Sequence, residues 1–197
     1  MIQLVDRTLE ALLRRELPTV MATQLDISFE PPDNEFPPQS VRVPAIDLFL
    51  YDLRENRELR TNEWTMERRS TGIAEKRPPY VRVDFSYLVT AWPNKGSVNP
   101  TQDEHQILGA VMLALFRHPK IPAEFLAEGL EDEELPASTL QPGRLQSLAE
   151  FWQALGGKPK TALNYTVTVA VSSALAIEER VVTDKLIRFE GGLDRPA

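Results

Sequence analysis

The sequence predicts an α+β fold: one domain with a largely antiparallel or mixed sheet and helices packed on it. Three observations predict it. Tyr80 to Trp92 alternates, with Val81, Val83, Phe85, Tyr87, Val89 and Ala91 on one face and Arg82, Asp84, Ser86, Leu88, Thr90 and Trp92 on the other. Leu163, Tyr165, Val167, Val169 and Val171 alternate in the same way with Asn164, Thr166, Thr168 and Ala170. Apolar residues recur at helical spacing over 2–17 and 105–116, and the strands come in runs instead of strict β-α alternation.

A length of 197 residues suits one domain, expected over 1–190 with a loose tail at 191–197. The hydrophobic fraction of 42% is that of a folded chain. Net charge is −7, which argues against a partner held through phosphates, so no nucleic acid is expected. The chain has no cysteine, which removes disulfides, thiolate nucleophiles and cysteine-ligated metals. Residues 1–18 lack the pattern of a secretory signal, and no apolar run reaches bilayer length, so no membrane partner is expected.

Ile2, Val5, Leu9, Leu12, Leu13 and Leu17 form the apolar stripe of a first helix, ended by Pro18. Leu25, Ile27 and Phe29 mark a short strand, and four prolines within 31–40 mark an extended loop. Val41 to Asp52 reads as a strand with large apolar groups on both faces. The segment 54–69 is densely charged, with only Leu59, Trp64 and Met66 to bury, and 70–79 continues it as a polar connection. It reads either as a solvated hairpin or loop, or as an assembly arm that pairs with a neighbouring subunit.

The central strand at 80–92 is framed by Pro78-Pro79 and Pro93-Asn94. Thr101 to Glu104 has the spacing of a capping box, and the helix behind it places Ile107, Leu108, Val111, Met112, Leu115 and Phe116 on one side. A further helix is expected over 144–155, with Leu145, Leu148, Phe151, Trp152 and Leu155 inward and Gly156-Gly157 as its C-cap. The acidic run 128–134, ending at Pro136, reads as a solvated connection between the two helices. Beyond the strand at 163–171, residues 172–179 read as a turn, and 180–190 as a weaker strand.

No chemistry is legible. Gly156-Gly157-Lys158-Pro159 lacks the first glycine of a phosphate loop, has proline where Ser or Thr should follow, and ends a helix. His105 and His118 stand apart, and Asp103, Glu104 and His105 diverge by about a hundred degrees each around a helix, so no metal site is expected. Carboxylates such as Asp47, Asp52 and Asp84 cannot be paired from sequence. No catalytic, cofactor-binding or metal residues are assigned, and no enzyme is expected. The rival reading is a small hydrolase or ligand-binding domain with a site assembled from scattered acids.

Three blocks together carry a resemblance. They are Ile46 to Asn56 with Arg57 to Arg60, Pro78 to Ala91 leading into Asp103 to Gly109, and Phe151 to Leu155 followed by Leu163 to Val169. In order and spacing they resemble the N-terminal domain of the cap, or tail-terminator, proteins of extracellular contractile injection systems, phage-tail-like particles such as the anti-feeding prophage. The resemblance covers nearly the whole chain. It implies a fold similar to phage tail terminators and a ring, expected to be a hexamer, that sits on the end of the inner tube and sheath and ends their polymerisation. It implies assembly in the cytoplasm, partners in the chain itself and in tube and sheath proteins, and no catalytic residues. Arg54, Glu55, Arg57, Glu58, Arg60 and Trp64 are then the expected interface residues, since interfaces favour Arg and Trp at their centres.

Overall fold

A computed structural model describes residues 1–68, 73–130, 134–140, 147–172 and 177–180. In chain order the elements are helices α1 (Ile2–Glu16) and α2 (Thr19–Gln24), and strands β1 (Asp26–Ser28), β2 (Ala45–Glu55), β3 (Thr65–Arg68), β4 (Ile73–Arg77) and β5 (Val81–Trp92). Helix α3 (Pro100–Phe116), strands β6 (Lys120–Pro122) and β7 (Glu134–Thr139), helix α4 (Leu148–Ala154) and strands β8 (Ala162–Val171) and β9 (Ile177–Arg180) follow. They fall into two compact units, one formed by Met1–Arg60 with Val81–Val171, the other by Thr61–Tyr80 with the described residues from Ser172 onward.

The first unit holds a six-stranded sheet in the order β1-β2-β5-β8-β7-β6. Its pairings are antiparallel except β1 with β2, so the sheet is mixed. The expected central strand is central: β5 pairs with β2 on one side and β8 on the other. Its Phe85, Tyr87, Val89 and Ala91 enter the core with Ile46 and Leu48 of β2 and Leu163, Tyr165, Val167 and Val169 of β8. Helix α1 closes this face with Val5, Leu9, Leu12 and Leu13, all fully buried, and each buried leucine contributes about 1.5–3 kcal/mol. Tyr87 Oη donates to Asp6 Oδ1 at 2.8 Å, which ties α1 to β5. The opposite face of β5 is covered too, since Ser86, Leu88 and Thr90 are buried.

Several boundaries differ from those expected. β2 starts at Ala45, not Val41, because Pro44 has no N–H for a ladder; Pro44 O instead accepts from Asp26 N–H at 3.0 Å. The register of β2 against β5 shifts between Leu50 and Asp52, so Tyr51 is an extra residue. No capping box forms at Thr101: Pro100 opens α3 with Asn99 as N-cap, and Thr101 lies inside the helix. Glu104, the expected box partner, instead accepts from Lys160 Nζ at 2.5 Å. The buried stripe of α3 is Ile107, Leu108, Val111, Ala114 and Leu115. Phe116, expected inward, is 49% exposed because its place around the helix falls outside that stripe.

Among the described residues the acidic run expected as a connection over 128–134 meets sheet only at its end, where β7 begins at Glu134, but two unexpected strands flank it. Lys120–Pro122 pairs with Glu134–Pro136, and Ala137–Thr139 pairs with β8. Proline and acids hid these strands, which lie toward the sheet edge where both are tolerated. Ser147 caps α4 by accepting from Glu150 N–H at 3.2 Å, and the start of the helix expected from 144 lies outside the described residues. Gly156, at φ +67°, ends α4 as expected, with Gly156 N–H donating to Gln153 O at 3.1 Å.

The second unit holds a three-stranded antiparallel sheet in the order β3-β4-β9. Two expectations are corrected here. The polar connection at 70–79 contains β4, and the turn at 172–179 runs into β9. Backbone hydrogen bonds build these strands without the apolar alternation that sequence reading needs. Of the weaker strand expected over 180–190 only Arg180, the end of β9, is described, and the tail at 191–197 lies outside the described residues.

Candidate assembly surface

The residues weighed for chemistry are occupied with structure. His118 Nε2 lies 3.3 Å from Glu16 Oε1, and its ring stands edge-on to Phe125 at 5.4 Å. Burial pushes the Glu16 carboxyl up, but Arg117, at 2.9 Å, and His118 outweigh it and hold Glu16 below its usual range. Asp84 accepts from Thr168 Oγ1 at 2.7 Å and from Asn56 Nδ2 at 3.1 Å. Asp52 pairs with Arg54 at 2.7 Å. Asp47 is wholly buried. Among the described residues, no group of three or more His, Cys, Asp or Glu is placed to hold a metal.

A cleft of about 590 Å³ opens at the end of the first sheet, lined among others by Phe36, Trp92, Glu104, His105, Trp152 and Lys158. Its wall is tightly tied. Phe36 stacks on Trp92 at 4.3 Å, and Lys160 Nζ sits 4.6 Å from the Trp92 ring centre while bonded to Glu104. Trp152 is buried at its back. These contacts brace α3, β5 and the proline-rich loop against one another.

The expected interface residues divide between the two units. In the first, Arg54 and Glu55 end β2, and Arg57, Glu58 and Arg60 follow on the exposed loop. Arg54 bonds Asp52, while Glu55 takes Arg57 at 3.9 Å and Arg60 at 3.4 Å. Arg54, Arg57 and Arg60 thus have partners within the chain. Asn56 anchors the start of the loop through its N–H to Arg82 O at 2.7 Å and its side chain to Asp84. In the second unit, Trp64 is 47% exposed, with Lys76 Nζ 5.0 Å from its ring centre.

Sequence reading missed another exposed surface. Residues of α2 and α3 together line two hollows that form a seam, and Val20 and Leu113 stand out of it at 66% and 58% exposure, while Phe116 is 49% exposed elsewhere on α3. A shallow hollow of about 310 Å³ runs beside Pro18, Ala110 and Leu113. The signal was faint: Leu113 falls outside the expected stripe of α3, and α2 has only six residues.

The chain belongs to the Pvc16 N-terminal domain family, whose model matches residues 4–184. Two solved structures are similar to it. One is the sheath/tube terminator, in the extended state, of the extracellular contractile injection system PVC, at 23% identity and a TM-score of 0.68, covering 100% of this chain and 64% of that one. The other is the tube-terminating cap of the anti-feeding prophage, at 27% identity and a TM-score of 0.67, covering 94% of this chain and 60% of that one. The chain therefore spans less than two thirds of the length of either. No curated protein matches it.

Proposed function

We propose that this chain is a structural, non-catalytic cap of a contractile injection system: a ring, expected to be hexameric, that sits on the end of the inner tube and sheath and ends their polymerisation. The observation that carries this reading is the 27% identity and shared fold with a tube-terminating cap over 94% of the chain. The family match over 4–184 spans both compact units, which supports treating 1–190 as one working domain. Its partners are other copies of the chain and the tube and sheath proteins. The net charge of −7 supports the absence of nucleic acid. Among the described residues no helix is long and apolar enough to cross a membrane. Assembly takes place in the cytoplasm, and the chain then travels with the particle. Arg54, Glu55, Arg57, Glu58, Arg60 and Trp64 belong to its subunit contacts. The test is to delete the gene for this chain and image the particles. Tubes of uncontrolled length, or particles lacking the terminal ring, are expected. Particles with normal length and normal ends would refute the cap reading.

A further inference from the structure

Resting on the ring reading, we infer that the apolar seam between α2 and α3 is the socket for the β3–β4 hairpin of a second copy of this chain. A cyclic head-to-tail contact joins two different patches of one chain, so each copy must carry both a plug and a socket. Exposed large apolar side chains form such a pair of patches. On the seam they are Leu113, in the hollow next to Pro18 and Ala110, and Val20, in a second hollow between the same helices. On the hairpin they are Trp64 and Met66, at 47% and 56% exposure. Residues two apart in extended chain point the same way, so Trp64 and Met66 share a face. Met66 pairs in register with Lys76, whose ammonium lies over Trp64, so the plug is apolar with one cation on it.

Charge selects which patch the plug meets. Residues 54–80 carry seven basic and five acidic side chains, a net of +2 in a chain whose total is −7, which leaves −9 on the remainder. Two such arms repel each other, which disfavours a symmetric hairpin-to-hairpin dimer, while each is attracted to the body of another copy. Acids lie at both ends of the seam: Glu16, with its partner Arg117, beside one hollow and Asp103 beside the other. Lys76 on the plug complements them.

The chain has no cysteine, so the contact can be read by cross-linking. The double variant Met66→Cys/Leu113→Cys, treated with a short bis-maleimide, should give a ladder of covalent oligomers that ends at the ring, and each single variant should stay uncross-linked. Both positions are exposed, so neither change disturbs the core. Trp64→Cys/Val20→Cys should behave alike. Light scattering on the wild-type chain reads the ring independently. A ring without a ladder from either pair overturns this contact and leaves the cap reading standing. A wild-type chain that stays monomeric, with no ladder, overturns both. Cross-linking of Met66→Cys alone into pairs, with no ladder from the double variants, overturns the head-to-tail arrangement in favour of a symmetric dimer.

Discussion

Asp47 lies in β2 beside Ser28 of β1 and Thr90 of β5, with its side chain wholly buried. Among the described residues neither carboxylate oxygen closes a hydrogen bond of good geometry. Burial pushes the carboxyl up to about 8; the Ser28 hydroxyl lowers it and the charge of Glu30 raises it further. Asp47 is therefore neutral near physiological pH. In the unfolded chain an aspartate ionises above about pH 4. Between those limits the folded state holds a proton that the unfolded state has lost. Its contribution to stability is full below about pH 4 and declines by about 1.4 kcal/mol per pH unit as pH rises toward the folded value. Asp47→Asn has no proton to lose. Urea unfolding of both proteins across this range should show the wild type losing ground to the variant as pH rises. Parallel curves would mean that Asp47 is ionised in the fold. Sequence reading noticed this acid but not its burial, because burial depends on the loop and strands that cover it.

At the scale of elements, β5 carries the fold. Its alternation is legible because one face meets a continuous apolar layer, and Phe85 is 2% exposed within it. Phe85→Asp places a charge there without a partner and should cost about 3 kcal/mol or more. Thermal melting reads this directly, and a variant that melts like the wild type would show that the face is not core. Helix α1 was equally legible, since Val5, Leu9, Leu12 and Leu13 form one stripe. The short or charged strands β3, β4, β6, β7 and β9 were not. Their pairing rests on backbone bonds to a neighbour, and a stretch of three to six residues has too little periodicity to announce itself.

At the scale of the whole molecule, the proposed role of the charged arm in subunit contacts can be tested apart from folding. Arg54, Arg57 and Arg60 are 55%, 84% and 60% exposed, and each pairs with an acid of its own chain. Exposed pairs of this kind contribute about 0–1 kcal/mol each. Reversing all three to glutamate should therefore leave the monomer folded, with circular dichroism and melting close to wild type. If these arginines make the proposed subunit contacts, the reversal should prevent capping, because it turns three cations offered to a neighbouring copy into three anions. Electron microscopy of particles carrying the triple variant checks this. Normal capped particles would reduce the arm to a solvated loop.

The α+β class, the long strands at the centre of the sheet, α1, most of α3 and the glycine stop after α4 could all be read from the amino acids alone. Each of these is a local pattern whose period or turn chemistry can be read without a partner. The sequence also held the order of blocks that marks the family. Long-range packing sets the rest: β1 runs parallel to β2, a three-stranded sheet forms a second unit, Asp47 is buried, and Val20, Leu113 and Phe116 stay in the open. Those outcomes depend on which residue meets which across long stretches of chain. An apolar side chain at a stripe's margin is core if another element covers it and a contact surface if none does.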